Sequence, residues 1–186
     1  VYVKAITGTP ISMEGRTAAC AHLSPVGNIA ACVADLWSNE SIQNIKLLSG
    51  MAPVVSFEQL IYDCRLMNTA AAKGHKSALF LRDLHADSDG DLDPQAYVLR
   101  PDVVLAISNE LVKTEGDYNR SKKAALLAFS HMQKAHDEGL LLLDDKEQTW
   151  LETLAYTVDN MPKDAGEFTE EMFGELENTD LGKYDL

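Results

Sequence analysis

The chain has 186 residues, 46% of them hydrophobic, which is enough for one domain with a continuous core and too little for two. Sixteen basic residues face 29 acidic ones, and the resulting charge of −13 repels nucleic-acid phosphates and anionic membrane surfaces, so neither is expected as a partner. No run approaches the ~20 apolar residues of a membrane-spanning helix, and Cys20, Cys32 and Cys64 form neither a disulfide framework nor a paired CxxC motif, so a reducing, cytoplasmic setting is expected.

The opening VYVKAITG reads as buried, patterned chain, which suggests a fragment of a longer protein. Ser24-Pro25 then starts a helix: the hydroxyl caps free amides and the ring takes the first helical position, where no donor is needed. Ile29, Cys32, Val33, Leu36 and Trp37 repeat at helical spacing and carry that helix to about Ser38. The run 42–48, ending at Ser49-Gly50, is short and β-branched enough for a strand. Ser56 and Gln59 match a capping box ahead of a helix with Leu60, Ile61, Cys64, Met67 and Ala71 on its apolar side, ending at Gly74. Helix, strand, helix is an α/β rhythm.

From His75 onward the pattern predicts helices only, over 75–86, 94–113, 118–137, 145–159 and 165–177, with His75 and His85 flanking loops and His131 and His136 inside the third. Asp93-Pro94 opens the second of these helices, and Asp144 and Asp145 lie at the start of the fourth, where a helix dipole favours negative charge. Charge divides the chain in the same place. Through Arg82 seven basic residues face five acidic ones; beyond it nine face 24, a net of −15. The expected organisation is a neutral α/β part over 1–74 and an acidic, all-helical part over 75–186.

Few side chains form a pattern that implies chemistry. Asp87, Asp89, Asp91 and Asp93 alternate like a calcium loop, but the sixth position is Leu92 and the twelfth is Val98, so a solvated, helix-capping loop is expected instead. Cys20 and His22 lie two apart and in an extended segment would face the same way, yet a stable zinc site needs three or four ligands and no further partner stands out, so no metal ligand is assigned. His22 precedes a helix N-terminus, where amides face outward; it is either a polar group beside a pocket or a structural partner of a loop carbonyl. Glu14 lies in the MEG turn. Asn39 and Glu40 lie in the turn before the strand, where holding a helix end or contacting another subunit competes with a role in a site. His22, Glu14, Asn39 and Glu40 are therefore the candidate catalytic positions. No nucleophile, base and orienter set, phosphate loop or cofactor fingerprint is present.

The strings VKAITG (3–8), MEG (13–15), CAH (20–22), GN (27–28), WSNES (37–41), YDCRLMNTA (62–70), LRDL (81–84) and DPQAY (93–97) occur in this order. Together they resemble the C-terminal part of the zinc subunit of methanol:corrinoid methyltransferases. The resemblance is dense through about the first hundred residues and continues as a helix pattern to the end. It implies a (β/α)₈ barrel with added helices, with zinc at the C-terminal mouth polarising the methanol oxygen while the Co(I) corrinoid of a partner protein takes the methyl group. The family's zinc ligands, a Glu and two Cys, lie ahead of Val1 by this resemblance, and none of Cys20, Cys32 and Cys64 matches them.

A barrel needs roughly 250 residues, so 186 residues with one strand are expected to be its closing segment, at 1–74, followed by a helical extension. In that setting Ser49-Gly50 is the strand end nearest the catalytic face, and the fragment alone is expected to be inactive. A corrinoid-binding protein, methanol and further copies of the chain are the expected partners. The alternative is a non-catalytic, acidic helical module that docks another protein. A cut barrel would also leave Ile29, Val33, Leu36, Trp37, Leu60, Ile61 and Met67 uncovered and residues 1–74 weakly held.

Overall fold

The structure, a computed structural model, describes residues 1–9, 24–37 and 54–175. Among these residues the regular elements are all helical, and no strand occurs. In chain order they are α1 (Tyr2–Thr7), α2 (Pro25–Ala30), a π-helix (Ala31–Trp37), α3 (Val54–Ala72), α4 (His75–Asp89), α5 (Pro94–Val98), α6 (Pro101–Leu111), α7 (Asp117–Asp137), α8 (Asp145–Asp159) and α9 (Ala165–Glu175). The strand expected over 42–48 lies outside the described residues.

The π-helix is the middle of the core. Ser24 Oγ accepts from the Gly27 amide at 3.1 Å and Pro25 takes the first helical position, as the Ser-Pro pair predicts. After Ala30 the ladder widens to the rarer π form, where Ala31, Cys32, Val33, Ala34, Leu36 and Trp37 are all buried. One side of this segment, with Ile29, packs on Ala86 of α4, Ala96 of α5 and Val104 of α6. Ala31 and Leu36 pack on Met67 of α3 and Leu81 of α4. Packing on both sides explains why a helix form with poorer intrinsic stability persists here. The expectation that Ile29, Val33, Leu36, Trp37 and Met67 stay uncovered is therefore corrected, since none is more than 7% exposed. Ile61, by contrast, is exposed. The cover comes from α1 and α3 together with α4, α5 and α6 on the far side of the Lys73-Gly74 turn.

Further layers build outward. Tyr2 Oη donates to the Val98 carbonyl at 3.2 Å and fastens α1 to the end of α5. Val103, Ile107 and Leu111 of α6 meet Ala124, Leu127 and Ala128 of α7, which recur at helical spacing along that helix. α8 lies on α7 and is closed at its N-terminus by a capping box, with Asp144 Oδ1 accepting from the Glu147 amide at 2.7 Å and Glu147 Oε2 from the Asp144 amide at 3.0 Å. Between them Gly139, at φ 73°, supplies the left-handed turn that ends α7.

Three expected boundaries move. The helix predicted over 94–113 is two helices, because Pro101 has no amide proton to donate and forces Arg100 into an extended conformation (φ −55°, ψ 138°). α3 already begins at Val54, so Ser56 lies inside its first turn and not at a cap. α4 runs to Asp89, which places His85, Asp87 and Asp89 in the helix and not in a loop.

The bend between α4 and α6 is held by one cation. Arg100 is 16% exposed; its Nη1 donates to Asp91 Oδ1 at 2.7 Å, its Nε to Asp102 Oδ1 at 3.2 Å, and its Nη2 lies 3.7 Å from Asp87 Oδ1. Burial alone would ease the proton off Arg100, but the hydrogen bond to Asp102 and the charges of Asp102, Asp91 and Asp87 outweigh it and raise its pKa. The same bend collects Asn28 of α2, whose Nδ2 donates to Asp89 Oδ2 at 2.7 Å, and the Leu142 amide, which donates to the Asp91 carbonyl at 3.2 Å. Gly90 is required by space: a Cβ there would stand 2.7 Å from Arg100 Cδ and 2.6 Å from the Ala86 carbonyl oxygen.

Two outcomes follow from this packing. Arg100→Leu removes the shared cation from three carboxylates and should lower the unfolding free energy by ~1.5–3 kcal/mol, the range for hydrogen bonds to charged groups; an unchanged urea midpoint would contradict this. Hydrogen exchange followed by mass spectrometry should show 25–37 and 78–89 protected to a similar degree, because they share one core. Rapid exchange confined to 25–37 would show instead that the first part is held separately.

Candidate functional site

His22, Glu14, Asn39 and Glu40, with Cys20 and the Ser49-Gly50 strand end, all lie outside the described residues. The structure brings none of them together in a describable site. What it shows is the scaffold on either side of them: α1 before residues 10–23, and α2 with the π-helix between those and residues 38–53.

Within that scaffold the cysteines are placed for packing. Cys32 is buried in the π-helix, and its Sγ donates to the Arg82 carbonyl at 3.3 Å. Burial pushes the thiol pKa up to about 12, with Arg82 and Arg100 offsetting only part of the shift, so at neutral pH Cys32 is a thiol and neither nucleophile nor metal ligand. Cys64 is half-buried on α3. His136 sits near the end of α7 with Nδ1 3.2 Å from the Leu141 carbonyl, a loop contact, and His131 is half-buried on the same helix. Among the described residues no group of three or more His, Cys, Asp or Glu is placed to hold a metal ion. These residues do not fit a zinc site.

The acidic run acts as structure. Asp93 caps α5, its Oδ1 accepting from the Gln95 and Ala96 amides at 2.7 and 3.2 Å, as the Asp-Pro pair predicts, while Asp87 and Asp91 serve Arg100. A cleft of about 390 Å³ beside Arg82, Asp83, Arg100 and Asp102 is part of this ion network.

A second cleft, of about 500 Å³, opens between α5, α7 and α8. Phe129 and Met132 of α7, Leu143, and Trp150, Leu151 and Leu154 of α8 make it mainly apolar, with Gln95, Asp144, Lys146 and Glu147 around them. Trp150 is 56% exposed at its edge. Sequence reading missed this cleft; the local signal was the i, i+4 pair Trp150 and Leu154 on α8.

With the fold in view, comparison with known proteins is decisive. The sequence profile of the methanol-cobalamin methyltransferase B subunit matches residues 1–185. The chain belongs to this family. A methanol--corrinoid protein co-methyltransferase of Methanosarcina barkeri is 37% identical over 173 residues, covering 92% of this chain. A protein in the crystal structure of the methanol:cobalamin methyltransferase complex MtaBC from Methanosarcina barkeri superimposes with a TM-score of 0.73 at 32% identity over 100% of this chain. The chain spans 37% of the length of the first relative and 41% of the second. In this chain several of the family-like strings fall on packing junctions: VKAITG forms most of α1, YDCRLMNTA lies in α3, LRDL supplies the Arg82 carbonyl that holds Cys32, and DPQAY opens α5 with its cap.

The raised Cys32 pKa gives a direct test. Between pH 7 and 9 Cys32 stays protonated and buried, so it should resist iodoacetamide in the native protein and react fully in denaturant, read by mass spectrometry of the Cys32 peptide. Fast native labelling would contradict the assigned burial.

Proposed function

We propose that this chain is the C-terminal part of a zinc-dependent methyltransferase that moves the methyl group of methanol to the Co(I) corrinoid of a partner protein. The observation that carries the reading is the family match over residues 1–185, supported by a fold likeness that covers the whole chain. Residues 1–74 contribute the closing segment of a (β/α)₈ barrel, with a strand at 42–48, and residues 75–186 form the helical extension that covers it. Zinc, in this reading, is held by residues ahead of Val1. The corrinoid belongs to the partner.

The role of this chain is then mechanical. The π-helix with α2 packs on α4, α5 and α6 and so forms a rigid layer that lies, in chain order, between the two candidate segments. His22, Glu14, Asn39 and Glu40 remain the proposed positions that face the reaction from those segments. In this reading the protein works in the cytoplasm and as an oligomer.

Methanol-dependent methylation of a Co(I) corrinoid protein, followed by loss of Co(I) absorbance, tests the proposal. The 186-residue chain alone should give no turnover and, after dialysis against a weak chelator, no stoichiometric zinc. Extension upstream to the length of its relatives should supply both. Turnover by the chain alone, or zinc lost on Cys20→Ser, would move the metal site into this chain. An extended, folded and zinc-loaded protein that leaves the cobalt unmethylated would end the methanol reading.

A further inference from the structure

The cleft between α5, α7 and α8 is an open apolar surface at one end of the α7/α8 pair. Leu140 and Leu142, 55% and 65% exposed, stand in the loop that joins these helices, next in sequence to Leu143 of the cleft. Apolar groups gathered at one end of a helix pair and bordered by charge mark contact surfaces for other proteins.

The border is mixed and mainly acidic, with Asp144 and Glu147 beside Lys146. Two helix N-termini, those of α5 and α8, meet at this cleft, since Pro94, Gln95, Lys146 and Glu147 line it. Open helix N-termini attract anions, but both are already closed: Asp93 takes the free amides of α5, and Asp144 and Glu147 take those of α8. The backbone bonds hold these carboxylates in place. Outside the lining, Asp145 is exposed in the first turn of α8 and Asp137 and Glu138 at the end of α7, where Glu138 lies 3.8 Å from Lys134. An anionic partner meets occupied donors and fixed carboxylates; a cationic one meets complementary charge.

We infer that this cleft docks an amphipathic helix of another protein, with apolar residues against Phe129, Leu143, Trp150 and Leu154 and with lysines or arginines against Asp144 and Glu147. Paired helices that leave an apolar groove recognise a third helix through side chains at i, i+3 or i+4 and i+7. The inference stands apart from the methyl-transfer reading, because it uses no residue proposed for that reaction.

A fourteen-residue peptide of leucines and lysines at helical spacing, titrated into the full chain, provides the test. Fluorescence of a Trp37→Phe variant then reports Trp150 alone. Binding should be saturable, should shift Trp150 emission to the blue, and should fall at least tenfold with Leu154→Asp. That variant adds a negative charge, so attraction by charge alone would leave affinity equal or higher, which would overturn the inference. The same peptide with glutamate in place of lysine should bind at least tenfold more weakly, and equal binding would also overturn it. Circular dichroism of Leu154→Asp checks its fold, and Trp150→Ala provides a second loss of the apolar wall, read by calorimetry. Self-association abolished by Leu154→Asp and not displaced by peptide would assign the cleft to a second copy. Gain of Trp150 quenching by acrylamide on truncation after Glu175 would assign it to the chain's own last residues. Either result would replace the proposed partner.

Discussion

The fold turns on Arg100. A proline one position later breaks what would otherwise be a single helix, and the resulting bend brings Asp87, Asp91 and Asp102 round one guanidinium. Planar guanidinium suits such a node, because its donors point in several fixed directions at once and it keeps its proton under partial burial. Without that cation, three carboxylates would meet at the junction of α4 and α6. With it, α4 can lie against the π-helix while α6 turns away to receive α7. The other attachments to the bend, from Asn28 and from the Leu142 amide, depend on the same geometry.

The family membership gives this packing a functional sense. The described residues of a chain in this family need not contain reacting groups for their arrangement to matter. A site that positions a small substrate tolerates little movement in the elements behind it. The π-helix is held between α3 and α4 on one side and α4, α5 and α6 on the other, and is buried at every described side chain. Cys32 illustrates the principle: its thiol is used to satisfy the Arg82 carbonyl, and burial suppresses the reactivity that makes cysteine useful elsewhere.

What could be read from sequence was local. Ser24-Pro25 and Asp93-Pro94 started helices as expected, because a cap needs only a side-chain oxygen and amides two or three residues away. Gly139 after α7 and the spacing of Ala124, Leu127 and Ala128 along it are equally local patterns. The break at Pro101 was present in the letters, but apolar periodicity through Val98, Leu99, Val103 and Val104 masked it. The π-helix was not legible, since Ile29, Cys32, Val33, Leu36 and Trp37 would give the same stripe in α form. The role of Arg100 was hidden because two of its partners lie nine and thirteen residues upstream, and the α5/α7/α8 cleft because it joins three separated helices. For the candidate site, spacing around Cys20 and His22 stopped at two ligands, and only the ordered family-like strings carried the reading further.

The outermost helices are attached in series. α8 rests on α7, and α9 meets α7 through the Tyr118 and Phe168 rings, 5.7 Å apart, while Lys122 Nζ and Tyr118 Oη grip the carbonyls of Met161 and Pro162 between them. Neither outer helix shares a side chain with the clusters around the π-helix. Changes on the outer face of α8 therefore carry little energetic cost at the centre. The exposed end of this protein can therefore alter its contacts without disturbing the packing around the π-helix.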